Sequence, residues 1–358
     1  MRFVAPLAAL REAVKTAQQA IPAVTARTEL SGVLLIAGAT SCSAVASRNG
    51  ETTIAAQLAI TESEPGQVLL PAAALSAYLA TFEPGESVTL SATDQTVAVR
   101  VGDHPPYHLR RILAPLPLPA APEAPPVPVD FSRLGAALAA VRASVDRTTS
   151  AVQLVSSSAG LAVHTTDRYR LTRCVLPEAA FGDATLLLPL DVLEWLARST
   201  ITSVTLDPSS RSVRFAGAQV IVSTRLLAAP FPAVEPVLRS EPSYRARVSG
   251  ADLSRSLQRL RTISRQAPVV AHFVGERLTL SATNDDLGWG EEHVALAVNT
   301  GPDTTVHVRP DFLADAVASI GSEMIDLAWS GAMEALRLST VAPLAVTVLV
   351  MPTRAPGA

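Results

Sequence analysis

The sequence predicts an α+β chain of three equivalent domains, each with two helices packed on antiparallel sheets. Three observations predict it. First, Leu69-Leu70-Pro71, Leu187-Leu188-Pro189 and Val308-Arg309-Pro310 each precede a helical pattern, and their prolines lie 118 and 121 residues apart, a domain-sized repeat rather than a solenoid one. Second, a pair of short β-rich runs follows each of these helices. Third, a longer amphipathic segment opens each unit in the same register.

Each element has its own signal. Leu7, Leu10, Val14, Ala17 and Ile21 step by three and four, and Phe131, Leu134, Leu138, Val141 and Val145 repeat those steps, so each places an apolar stripe on a helix of about four turns. Leu253, Leu257 and Leu260 lie 119 residues beyond Leu134, Leu138 and Val141. The proline-led helices carry Leu75, Tyr78, Leu79 and Phe82, then Val192, Leu193 and Leu196, then Leu313, Val317 and Ile320. Proline suits the first helical turn because its missing N–H has no partner there anyway. The hairpins are Val88–Leu90 with Val97–Val101, Val204–Leu206 with Val213–Phe215, and Ile325–Leu327 with Leu336–Leu338. Two helices cannot cover so many strands on both faces, so they are expected on one side. Domain boundaries are expected at 1–120, 128–240 and 245–358. Pro115, Pro117, Pro119, Pro122, Pro125, Pro126 and Pro128 make an extended connector, and Pro230, Pro232, Pro236 and Pro242 mark the second junction.

With 358 residues and 48% hydrophobic content, each domain can bury a core of its own. The net charge of -3 gives no global attraction to nucleic acid, so any such contact must come from a locally basic surface. Lys15 is the only lysine. Two cysteines, Cys42 and Cys174, are too few for a disulfide framework or a thiolate zinc site. No apolar run reaches the ~18 residues of a membrane span, and the N-terminus lacks a secretory h-region, so a cytoplasmic protein without a membrane partner is expected.

Signals for catalysis are poor. Asn284, Asp285, Asp286, Glu291, Glu292 and His293 concentrate carboxylates, but their spacing fits no calcium loop, and Gly288-Trp289-Gly290 is not a dinucleotide fingerprint. Pro105 and Pro106 keep His104 and His108 from sharing a helical face toward one metal. Cys174 has no neighbouring histidine to activate it. No catalytic residue, metal or cofactor is expected.

Charge on the opening segments is more informative. Arg11, Lys15 and Arg27 in the first, Arg133 and Arg142 in the second, and Arg255, Arg259, Arg261 and Arg265 in the third are accompanied by one acid, Glu12. Solvated helix faces normally mix signs, so three equivalent acid-poor segments predict one shared electropositive surface for a polyanion. Few aromatics accompany the arginines, which favours the backbone of duplex DNA, bound without sequence preference, over stacked single-stranded bases.

Several motifs then resemble one family, the bacterial DNA sliding clamp or DNA polymerase III beta subunit. These are Thr166-Asp167-Arg168-Tyr169-Arg170-Leu171, Phe231-Pro232 followed by Val237-Leu238, and Val350-Met351-Pro352-Thr353-Arg354, with Met1-Arg2-Phe3 and Leu30–Leu35 also similar. The resemblance spans residues 1 to about 354. It implies a half-ring that dimerises head-to-tail into a closed ring around duplex DNA, tethering the polymerase III alpha subunit, the clamp loader and other proteins that carry clamp-binding motifs. It further implies a dimer interface at Tyr107, Leu109, Thr262 and Ile263. A partner-peptide cleft is implied at Thr149, Val152, Thr166, Arg168, Tyr169, Arg170, Leu171, Pro232, Pro236, Val237, Leu349, Val350, Met351, Pro352 and Arg354.

The chain departs from the family pattern at Thr149, at Ser150-Ala151, at Pro236, at Ser47-Arg48-Asn49 and in the tail Ala355–Ala358. These departures keep open a divergent second clamp with an altered cleft, specialised for one polymerase or resistant to an inhibitor. A hydrolase using Asp285, Asp286 and Glu291, and an interaction protein that never meets DNA, are rivals from other classes.

Overall fold

The structure, a computed structural model, describes residues 1–119, 124–207, 211–265 and 267–354. Pro122 of the connector, Gln266 and the tail Ala355–Ala358 lie outside the described residues.

One element order occurs three times: a strand, a helix, a run of antiparallel strands, a helix and three more strands. The helices are α1 (Leu7–Gln18), α2 (Ala72–Leu79), α3 (Leu134–Val141), α4 (Leu190–Ala197), a short α5 (Glu235–Arg239), α6 (Gly250–Ile263) and α7 (Pro310–Ile320). The strand ahead of each opening helix escaped the sequence reading, and it pairs each time with the strand after the proline-led helix. Arg2–Pro6 pairs with Ser87–Ala92, Val127–Pro128 with Ile201–Asp207, and Tyr244–Ser249 with Met324–Trp329. All three expected hairpins form.

Two helices are shorter than the four turns their periodicity predicts. α1 ends at Gln18 and gives way to i→i+3 bonds through Ile21, because Pro22 disfavours helical geometry in the residue before it. α3 stops at Val141, whose carbonyl accepts the Thr165 hydroxyl (2.7 Å), while Ser144 in the following 3-10 turn bonds Thr172 (2.6 Å). Contacts with the sheet thus replace the next helical turn.

The chain divides into two compact units, Met1–Phe131 with Ser199–Leu226, and Ser132–Arg198 with Leu227–Ala358, so the middle repeat contributes to both. In the first unit a five-stranded sheet ends on Tyr107–Arg110. An eight-stranded sheet joins the first and second repeats where Thr52–Ala59 pairs with Val220–Arg225. α1 buries Leu7, Leu10, Ala13, Val14 and Ala17 against this unit, and each leucine-sized side chain removed from water contributes about 1.5–3 kcal/mol. The proline connector is no free spacer, because Leu116 is buried with Leu30, Leu34, Val45 and Leu69.

In the second unit a twelve-stranded antiparallel sheet joins the second and third repeats where Arg170–Leu176 pairs with Ala345–Val350. Thr165 and Thr172 face the end of α3, so by strand alternation His164, Leu171 and Arg173 lie on the opposite face. There Leu171 and Leu349 form a small core with Val234, Phe231 and Leu238, and the segment leading into α5 straps across it. Arg337 fastens the strap by donating to the carbonyls of Val237, Leu238 and Ser240 at 2.9–3.1 Å.

Gly217 sits at a bulge opposite Ile201, where a Cβ would run into the Thr200 carbonyl oxygen. Gly217→Ala is expected to cost about 2 kcal/mol or more in urea unfolding, with Gly85→Ala, which meets nothing within 4 Å, within about 0.5 kcal/mol of wild type. His164 is wholly buried, bonds Gln153 (3.2 Å), and is depressed to about 4 by burial and by the Arg173 charge opposite. The unfolded chain binds the proton first as pH falls below the ordinary histidine value of about 6.5. Stability is therefore complete above that pH and falls by up to about 3 kcal/mol as pH drops toward 4, a loss that His164→Gln should reduce in pH-dependent unfolding.

Candidate functional site

The Thr166–Leu171 motif folds as a tight turn because its own side chains supply the bonds. Asp167 Oδ1 accepts the amides of Tyr169 (3.0 Å) and Arg170 (2.7 Å), and the Thr166 hydroxyl donates to the Arg170 carbonyl (2.7 Å). The Arg170 guanidinium then locks the turn to its surroundings. It bonds Asp167 Oδ2 (2.8 and 3.0 Å) and Asp315 on α7 (2.6 Å), and it lies 4.3 Å from the Phe312 ring centre. Arg168 adopts φ 73°, a left-handed conformation that costs a residue with a Cβ about 1–2 kcal/mol.

This turn forms one wall of a cavity of about 230 Å³. Thr166, Arg168, Tyr169, Arg170 and Leu171 line that wall, Pro232, Ala233, Val234 and Val237 the strap opposite, and Leu349 and Met351 the end of the junction strand. The Met351 amide donates to the Tyr169 carbonyl (2.8 Å), tying strand exit to turn. Tyr169, Val237 and Met351 leave large apolar surface exposed around the opening.

Nine of the fifteen residues named for the cleft thus line one cavity, with Ala233 and Val234 in addition. Val152 and Val350 are wholly buried in their strands. Pro236 and Pro352 adjoin the lining residues Val237 and Met351 in the chain without belonging to the lining, Arg354 is exposed and does not line the cavity, and Thr149 sits in an exposed turn where its amide bonds Asp146 (3.0 Å). Ser150, in the same turn, has φ 47°. Ala233 and Val234 had no signal in the sequence, since only the fold of the strap brings them against the turn.

The basic residues of the opening segments are mostly paired. Arg11 donates to the carbonyls of Leu79 (2.5 Å) and Phe82 (2.6 Å) just past α2, so it clamps α1 to that helix end. Arg27 pairs with Glu29 (2.8 Å), Arg133 with Glu178 (3.5 Å), Arg142 with Glu194 (2.5 Å), Arg259 with Glu292 (2.5 Å) and Arg261 with Asp311 (2.9 Å). α6 starts at Gly250 and so includes Asp252, which pairs with Arg255; the third segment is not acid-free over its full helix. Among the described residues, Lys15 and Arg265 are the two members of this set whose side chains bond no protein partner.

Tyr107 and Leu109 lie on the edge strand of the five-stranded sheet, Tyr107 half-exposed and stacked on Tyr78 at 4.8 Å, Leu109 buried. Thr262 and Ile263 close α6. A Cβ at Gly290 would touch Ile263 (3.5 Å), which places that helix end beside the long strand Gly288–Asn299. This strand pairs along its whole first part with Arg277–Asn284, but its other side is paired only at Leu296, Val298 and Asn299. Trp289, 73% exposed, stands on the open stretch, and the sequence reading did not single it out beside Thr262 and Ile263.

The acidic turn is occupied with its own structure. Asn284 accepts the amides of Asp286 and Leu287 (3.0 Å each), Glu291 pairs with His293 (3.3 Å), and Glu292 is held below the usual carboxylate range by its hydrogen bond from Arg259. Burial pushes the Cys42 thiol up to about 12 and the Cys174 thiol up to about 11. Among the described residues no three His, Cys, Asp or Glu side chains converge on a metal position, and no helix is long and apolar enough to cross a membrane.

Residues 237–354 match the family model for the DNA polymerase III beta subunit, C-terminal domain. Among solved structures, the DNA polymerase sliding clamp of Caulobacter crescentus matches with a TM-score of 0.88 at 18% identity, over 99% of this chain and 100% of that one. The DNA polymerase III subunit beta of Pseudomonas aeruginosa matches at 0.87, with 18% identity and the same coverage. The sliding clamp of Bacillus subtilis matches at 0.84, with 18% identity over 99% of both chains. The chain therefore has the fold of the bacterial DNA polymerase III beta sliding clamps along its length, and its residues 237–354 match the model of their C-terminal domain.

Proposed function

We propose that this chain is a DNA sliding clamp, a cytoplasmic, non-catalytic processivity factor. Two copies, each of three equivalent domains (1–120, 128–240 and 245–358), close head-to-tail around duplex DNA and tether the polymerase III alpha subunit, the clamp loader and other motif-bearing proteins. The observation that carries the reading is the whole-length likeness to sliding clamps, joined to the family match of the C-terminal domain.

Internal symmetry supports the dimer. The last strand of the second repeat pairs with the third long strand of the first, and the last strand of the third repeat pairs with the corresponding strand of the second. One chain leaves the two matching edges unused, Tyr107–Arg110 and the open side of Gly288–Ala295. A second copy supplies each with its partner, a heterologous contact that closes after two subunits and covers both of these edges. Tyr107, Leu109, Thr262, Ile263 and Trp289 then share the contact.

Tethering requires enclosure rather than tight binding. Most arginines of the opening helices have their charge offset by a carboxylate, which suits a weak, sequence-independent hold that permits sliding, with Lys15 and Arg265 as the unpaired cations. A polymerase held by the cleft gains effective concentration at the primer end without new template contacts. The cleft suits a short peptide with apolar anchors, each worth about 1.5–3 kcal/mol on burial, and Met351 adapts its shape to different ligands.

The loaded protein should stay on a nicked circular duplex during gel filtration and leave once that duplex is linearised, and Lys15→Ala with Arg265→Ala should weaken its salt-sensitive loading; equal retention on both DNA forms removes the reading. Trp289→Ala combined with Tyr107→Ala should raise the dimer dissociation constant by about tenfold or more by mass photometry, since buried interface aromatics carry about 2 kcal/mol or more each; an unchanged mass distribution contradicts this interface.

A further inference from the structure

Arg168 is held in a strained backbone conformation at the lip of the cavity, yet its guanidinium has no partner among the described residues. Other charges close to the turn are committed. Arg170 is bonded by Asp167 and Asp315, the Asp146 carboxylate accepts the amides of Thr148 (2.8 Å) and Thr149 (3.0 Å), and Glu235 pairs with Arg239 (3.3 Å). Asp146 senses the Arg168 charge but forms no ion pair with it. Among the described residues no acidic side chain lines the cavity. The turn itself is fixed by the Asp167 and Thr166 bonds, so Arg168 projects from a rigid base.

Left-handed backbone favours glycine, and strain of this kind persists where the side chain has a use. We propose that Arg168 is a specificity-determining residue that selects partner peptides carrying a carboxylate beside their apolar anchors. This rests on reading the cavity as the partner cleft. A carboxylate arriving with the peptide finds a guanidinium not already engaged, next to an apolar cavity that the peptide's anchors would fill, and a charge-assisted hydrogen bond is among the stronger ones available there.

The test uses the intact protein and two fluorescent peptides with the same leucine and phenylalanine anchors, differing only by Glu or Gln beside them. By fluorescence polarisation, wild type should prefer the Glu peptide by about five- to tenfold at low salt, with the preference shrinking at high salt. Arg168→Gly should abolish that preference and raise the thermal unfolding midpoint by relieving the strain. Arg168→Lys should keep part of the preference. Equal wild-type affinity for both peptides, or a preference that survives Arg168→Gly, overturns the role of Arg168 while leaving the cleft intact. Failure of both peptides to bind wild type overturns the cleft and the specificity together.

Discussion

Backbone pairing between repeats is the constraint on which the rest of the structure depends. Each repeat alone would expose two strand edges, and unsatisfied amides and carbonyls at such edges recruit other chains. The chain resolves this twice within itself, by seating Val220–Arg225 on Thr52–Ala59 and Ala345–Val350 on Arg170–Leu176. Applied once more, the same operation would engage another copy, so the proposed dimer continues the intramolecular architecture.

The cavity proposed as the partner cleft grows from the second of these junctions. Leu171 and Leu349 face each other across it and present a common apolar floor, Met351 leaves the junction strand to meet the Tyr169 carbonyl, and the strap closes over the floor through Val234. Arg170 and Arg337 hold the two walls, one through paired carboxylates and the other through three carbonyls at the end of α5. Both arginines are consumed by structure. Arg168 lines the cavity without such a commitment, which is why the proposed selectivity is placed on it.

Much of this was legible in the sequence because it follows from local rules. Proline-led helices, β-branched hairpins and the three-and-four stepping of the opening helices each depend on neighbours within a few residues, and the Thr166–Leu171 turn carries its own hydrogen-bond partners. What was hidden depends on distant contacts. The strand before each opening helix is short, two residues in the case of Val127–Pro128, and exists only because the later strand is there to pair with it. The limit of α3 is set by Thr165 and Thr172 on the sheet. The electropositive reading of the opening helices counted charges along the chain, whereas Glu194, Glu292 and Asp311, which offset them, arrive from other elements. Charge bias in one segment is a property of the sequence; an electric field is a property of the fold.

The central claim is that a second copy covers the two open sheet edges. Hydrogen exchange of the amides in Tyr107–Arg110 and Gly288–Ala295, followed across a dilution series with the solution mass, tests it most directly. Protection of both stretches that appears and vanishes together with the dimer is the predicted result. Unprotected exchange of the amides on the open sides of these strands at every concentration, or a monomer throughout, would contradict it.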